Sequence, residues 1–197
     1  MKFHDFIKHN HLSLDAIKQY YEVNREIIQI STVFNYCCVN GYLDIAKWLY
    51  SVGKINIHAH DDAIFYLCCK NGHLNIAQWL YSLGDVNVNA LNDIAFRHSC
   101  TNDRLDVAKW LYSLGNINIH AHDELVFIEC CMYNRIEVVK WLLSLSSINI
   151  RAQNDRAFKM CRFFHHYRIA TILANLCPEY EFDILWFHKY KQLTLCF

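Results

Sequence analysis

Two tetrapeptides concentrate the reactive chemistry of this chain: His58-Ala59-His60-Asp61 and His120-Ala121-His122-Asp123 each place two imidazoles and a carboxylate within four residues. On an extended backbone alternate side chains share a side, so the imidazoles of each motif face one way. Such a set could hold a metal locally, sense protons, touch a partner, or be solvated loop residues. Ten cysteines are the other reactive group, six of them in the adjacent pairs Cys37-Cys38, Cys68-Cys69 and Cys130-Cys131. Neighbouring cysteines on a helix point about 100° apart and do not easily bridge. Neither Cys-x-x-Cys nor His-x-x-x-His spacing occurs, so core-filling thiols are the reading of the pairs. An activated nucleophile, paired carboxylates in a cleft and a glycine-rich phosphate loop are all missing from the sequence. We therefore expect no enzyme, no cofactor and no metal.

What positions these residues is a repeat. Trp48, Trp79, Trp110 and Trp141 stand 31 residues apart in near copies of one phrase, IAKWLYSVG, IAQWLYSLG, VAKWLYSLG and VVKWLLSLS. A fixed period in this range marks stacked supersecondary units. Units fall at residues 31–61, 62–92, 93–123, 124–154 and, more weakly, 155–185. Each opens on Ser31, Asp62, Asp93, Glu124 or Asp155, mostly good helix N-caps. The first helix then carries Phe34, Phe65, Phe96, Phe127 or Phe158, followed three and four residues on by mostly small residues, on one face. Turns follow at Asn40-Gly41, Asn71-Gly72, Asn102-Asp103 and Tyr133-Asn134. The second helix has apolar residues at three- and four-residue spacing and ends at Gly53, Gly84, Gly115 or Ser146. Short alternating segments, such as Ile55-Asn56-Ile57 and Val86-Asn87-Val88, read as extended loops. The two histidine motifs therefore lie a whole repeat apart, roughly 16 to 20 Å, and cannot share one ion.

The tryptophans share a face with Leu49, Leu80, Leu111 and Leu142, which predicts that the indoles pack between repeats. At this point the chain resembles the ankyrin repeat family. Cys68-Cys69-Lys70-Asn71-Gly72-His73-Leu74-Asn75-Ile76-Ala77 looks like that family's small-small-x-x-Gly-His-Leu-x-Val-Val segment, and Gly84-Asp85-Val86-Asn87 like its Gly-Ala-Asp-Val-Asn hairpin. The fold this implies is an all-α ankyrin-repeat solenoid of helix-turn-helix units with short extended hairpin loops. Two departures stand out: the family's Thr-Pro-Leu-His opening is replaced by Asp93-Ile94-Ala95-Phe96 and its equivalents, and the period is 31 instead of about 33. The Asp-x-Ala-Phe opening joined to Ala-Lys-Trp-Leu-Tyr-Ser-Leu-Gly is similar to the ankyrin paralogue sets of giant amoeba-infecting viruses. Residues 1–30 keep Phe3, Leu12, Leu14 and Ile17 in register and read as a degenerate N-terminal capping repeat; residues 182–197 read as a C-terminal capping helix.

Lys plus Arg and Asp plus Glu balance at 19 each, so no overall field draws phosphate backbones, and nucleic acid is not an expected partner. The N-terminal MKFHDFIKHNHLSL mixes charge with apolar residues, unlike a secretory signal. Phe182 to Phe197 is too short to span a bilayer. The expectation is an intracellular monomer, in host cytoplasm if the viral resemblance holds, with reduced thiols and no membrane attachment.

Units sharing a fold can vary freely only where packing does not fix the residue. The hairpin positions that vary are His58, Asn89, His120 and Arg151, then His60, Leu91, His122 and Gln153, with Asp61 and Asp123 beside them. On the first helix they are Tyr66, Arg97, Ile128 and Lys159, then Leu67, His98, Glu129 and Met160, and Lys70, Thr101, Met132 and Phe163. In the family it resembles, hairpin tips and first helices form the concave recognition face. These residues are accordingly the candidate partner contacts of a non-catalytic protein-binding module. The alternative is an adaptor that recruits a host ubiquitin ligase through an F-box-like tail at residues 182–197.

Overall fold

The computed structural model describes residues 14–24, 28–115, 117–145 and 148–180. The N-terminal Phe3 and Leu12 and the tail 181–197 lie outside the described residues, and with them the expected closing helix and F-box-like segment.

Eleven α-helices and one 3-10 turn account for the regular structure of the described residues. In chain order they are α1 Leu14–Asn24, α2 Ile30–Val39, α3 Leu43–Val52, α4 Ala59–Asn71, α5 Leu74–Ser82 and α6 Ala90–Thr101. They continue with α7 Leu105–Ser113, α8 Ala121–Met132, α9 Ile136–Leu145, α10 Ala152–Phe163 and α11 Tyr167–Leu176, before the 3-10 turn Pro178–Tyr180. The all-helical repeat class is the one the sequence implies. The described residues fall into two compact units, those within 14–99 together with 106–115, and those within 100–105 together with 117–180.

Each repeat is a helical hairpin closed by a left-handed residue. Gly41 and Gly72 take φ +86 there, and Asp103, Asn134 and His165 take φ near 60 at the equivalent places. Asn and Asp tolerate this region with modest strain, which is how the turn survives without glycine. At Gly41 a second constraint applies, because a Cβ would lie 2.9 Å from the His73 ring. That ring comes close to reach Val39: its Nε2 lies 2.8 Å from the Val39 carbonyl, which also accepts from Asn71 Nδ2 at 2.9 Å. In the second unit Arg135 Nε donates to the Thr101 carbonyl at 2.6 Å and His166 Nδ1 lies 3.0 Å from that of Cys131. Along this edge a side chain from one repeat satisfies a helix-end carbonyl of the repeat before it.

The interior is built from the repeated phenylalanines. Phe34, Phe65, Phe96, Phe127 and Phe158 are between 0% and 2% exposed. The indole of one repeat lies against the phenylalanine and tyrosine before it: Trp79 sits 6.2 Å from Phe34 and 5.7 Å from Tyr50, and Trp110 sits 6.1 Å from Phe65 and 5.8 Å from Tyr81, all edge-on. Tyr21 of α1 meets Trp48 the same way at 5.2 Å. Edge-on pairs of this kind add about 0.5–1.5 kcal/mol beyond area burial. The expected inter-repeat packing of the indoles is therefore present in the first unit.

The paired cysteines are fully buried, and burial holds the Cys37, Cys69, Cys100 and Cys131 thiols well above their ordinary value. Those four thiols remain protonated and inert, as core-filling residues should. The Cys68 thiol reaches the Cys38 carbonyl at 3.4 Å, the close approach that a small residue permits.

Candidate functional site

The hairpins are where structure and expectation part. Residues expected to cap the first helices do something else. Asp62, Asp93, Glu124 and Asp155 each end a run of three left-handed residues, His60–Asp62, Leu91–Asp93, His122–Glu124 and Gln153–Asp155, with φ between 51 and 64. A normal N-cap residue is extended. Ser31 misses the role differently, since α2 already starts at Ile30 behind Gln29. Left-handed backbone costs an L-residue about 1–2 kcal/mol, so something must hold each run in place.

The holding element is the carboxylate that ends the run. Asp62 Oδ2 accepts the backbone N–H of Asn87, 25 residues on, at 2.9 Å, while its Oδ1 lies 2.8 Å from His58 Nδ1. Glu124 repeats the pattern, with Oε1 taking both the Asn149 N–H at 3.1 Å and His120 Nδ1 at 2.8 Å. The longer Glu side chain uses one oxygen twice, and its Oε2 is buried with no hydrogen-bond partner among the described residues. Asp155 receives the Tyr180 hydroxyl, again 25 residues on, and Arg151 Nε at 3.2 Å. That hydroxyl holds the Asp155 carboxyl below the usual carboxylate range. Asn89 Nδ2 donates to Asp93 Oδ1 at 2.5 Å. Because Asp62 and Glu124 are largely removed from water, with side chains 9% and 6% exposed, these charge-assisted bonds are worth more than surface pairs.

The loop before each run is pinned by an Asx turn: the side-chain oxygens of Asn56, Asn87, Asn118 and Asn149 accept the N–H two residues on at 3.0–3.1 Å. This is the reason the central polar residue of each Ile-Asn-Ile segment is asparagine.

These bonds change how the candidate residues read. His58, Asn89, His120 and Arg151 vary in type, yet each gives its side chain to the acid four residues later. Their variation is exchange among donors, a duty visible in the sequence only when each residue is read beside the acid at i+4. Gln153 is likewise occupied: its backbone N–H goes to Asp123 Oδ2, and its side-chain amide to the His122 and Asp123 carbonyls. Lys159 donates to the Asn154 carbonyl at 2.6 Å. Two candidates are corrected outright. Ile128 is 2% and Thr101 8% exposed, so neither offers a surface. An apolar chain at the Ile128 position gains by leaving water where Tyr66 and Arg97 stay half-exposed.

What remains outward is a set on the first-helix side. His60, Asp61, His122 and Asp123 are exposed, Leu91 is 62% exposed, and Tyr66, Lys70, Arg97 and Met132 are half-buried. In the first unit a groove of about 380 Å³ runs between α2, α4 and the loop joining α3 to α4, lined by Ser31, Asn35, Lys54, Ile57, His60, Ile64 and Leu67 among others. It is mixed in character, with an ammonium and an imidazole at its rim and aliphatic walls. Leu67, one of the lining residues, belongs to the varying first-helix row with His98, Glu129 and Met160. Among the described residues no group of three or more His, Cys, Asp or Glu is arranged to hold a metal ion. None of their helices is long and apolar enough to cross a membrane.

The family model for ankyrin repeats, in three copies, matches residues 34–123 and 66–154. No curated protein matches the chain.

Proposed function

Since the chain belongs to the ankyrin repeat family, whose repeats generally mediate protein–protein interactions, we propose that it is a non-catalytic module binding a protein partner on its first-helix face and loop tips. The observation that carries the reading is the groove between α2 and α4, rimmed by Lys54 and His60 and walled by Ile57, Ile64 and Leu67. Aliphatic walls with a polar rim are the anatomy of a protein-recognition patch. Leu91, an apolar side chain 62% exposed on a backbone held by the Asx turn at Asn87, supports the same face. The likeness to viral ankyrin sets supports a host protein as that partner and host cytoplasm as the place.

The test is comparative capture of partners from expressing host cells. Leu67→Glu and Leu91→Glu should lose partners that Gln78→Glu, on the exposed side of α5, retains. Equal retention by all three variants would remove the basis for assigning this face.

A further inference from the structure

In the first unit α4 and α6 bring Tyr66, Lys70 and His98 together. The Tyr66 hydroxyl lies 2.9 Å from His98 Nδ1, the two rings are 5.4 Å apart at 57°, and the Lys70 ammonium is 6.0 Å from the Tyr66 ring centroid. All three side chains are half-buried, where charges are screened less than on open surface. Lys70 forms no ion pair among the described residues; the ion pairs found there join other groups. His98 is held below its ordinary value, first by burial and then by the positive charges of Arg97 and Lys70. The cluster therefore sets an ammonium without an ion pair among the described residues beside an imidazole whose protonation is opposed by burial and by neighbouring positive charge. It also occurs once: at the equivalent positions in the second unit Ile128 and Met160 replace Tyr66 and His98, and neither can donate or titrate.

We infer that Tyr66, Lys70 and His98 form a receptor for one oxyanion, a carboxylate or phosphate on a side chain of the partner protein. This rests on the reading that the partner docks on the first-helix face. Lys70 supplies a fixed charge with three donors. When the oxyanion arrives, the repulsion at His98 is offset and the imidazole takes up a proton from solvent. Its Nδ1–H then donates to the Tyr66 oxygen, and the Tyr66 hydroxyl hydrogen, which otherwise points to the unprotonated Nδ1, turns to the oxyanion. Lys70 and Tyr66 touch the ligand, and His98 is the positioning residue behind them.

The full chain can be titrated with acetyl-Gly-Glu-Gly-amide, acetyl-Gly-phosphoserine-Gly-amide and inorganic phosphate at constant ionic strength, following the imidazole resonances by NMR. The His98 resonances should shift saturably, with dissociation constants on the order of millimolar for such small ligands, and the His98 pKa should rise. Those of His60, exposed in the same unit, should not follow. Lys70→Met should weaken binding about tenfold and abolish the rise; Tyr66→Phe should weaken it about threefold and keep part of the rise. The tighter of the two peptides identifies whether the anion is phosphate or carboxylate. No response at His98, a matching response at His60, or a response undiminished by Lys70→Met would overturn the receptor. A captured partner that is lost with Leu67→Glu but holds equally to Lys70→Met and to the parent would overturn the receptor while leaving the docking face in place.

Discussion

The carboxylate of Asp62, inside the first unit, and that of Asp155, near the end of the second, sit at equivalent positions and solve one problem by different means. Asp62 takes a backbone N–H from Asn87 in the loop that closes its own repeat. For Asp155 the donor 25 residues on is the phenolic hydroxyl of Tyr180, in the 3-10 turn. The same tyrosine ring stacks on Phe158 with centroids 4.0 Å apart and planes at 8°, whereas Phe34 and Phe65 are met edge-on by tryptophans of later repeats. One side chain thus supplies both the donor that a loop amide gives Asp62 and the ring contact that a tryptophan gives Phe34 and Phe65. The repeat that opens at Asp155 needs a donor for its acid and a partner for its phenylalanine, and the 3-10 turn Pro178–Tyr180 supplies both. The capping helix expected at residues 182–197 lies outside the described residues, and Tyr180, which precedes it, carries no repeat signature.

The comparison can be broken most forcefully from the interior side. Trp79→Ala should cost about 3–5 kcal/mol in denaturant unfolding, since it uncovers Phe34 and Tyr50 at once. Asp62→Ala should cost about 2–3 kcal/mol, leaving the Asn87 N–H without its charged acceptor and the left-handed run unpinned. In the second unit Tyr180→Ala should cost about 2 kcal/mol and Tyr180→Phe about 1 kcal/mol, the difference being the stack on Phe158. Hydrogen exchange should show that loss confined to α10 and α11. Equal losses for the two Tyr180 variants would mean that the stack contributes nothing.

Two finer measurements sharpen the contrast. Glu124→Asp shortens the chain that leaves Oε2 unpartnered and lets two oxygens serve two donors as in Asp62; a gain of up to about 1 kcal/mol is expected. The last is a pH series. Asp155 has its folded pKa depressed by the Tyr180 hydroxyl, so its contribution is present above the ordinary carboxylate value near 4 and is lost as pH falls through the lower folded value. The stability difference between the parent chain and Asp155→Asn should therefore be constant from neutral pH down to about 4 and shrink below it. A difference that grows in acid would contradict the hydrogen bond.

Much of this was legible residue by residue. The tryptophan spacing exposed the repeat, the buried phenylalanine row followed from its periodicity, and the cysteine pairs lay where close helix approach demands small residues. The left-handed turns were readable at Asn-Gly and also at Asn102-Asp103, where polar side chains tolerate that backbone. The hairpins were not. Variation at His58, Asn89, His120 and Arg151 looked like surface freedom, yet a donor followed by an acid four residues later recurs in every copy, and reading the two together would have revealed the pair. Thr101 and Ile128 erred in the opposite direction, because variation at a position says nothing of whether its side chain faces water.

Periodicity by itself determined the helices, their turns and the core, since these depend on local backbone preference and on apolar residues returning at a helical interval. Only the tertiary structure decided what the hairpin acids do and which polar residues meet on the first-helix face. Asp62 with the Asn87 amide, and Tyr66 with His98, lie 25 and 32 residues apart in the chain. Whether such groups touch is set by how a repeat closes on its own loop and how successive repeats stack, a distance of a few ångströms that no local preference encodes.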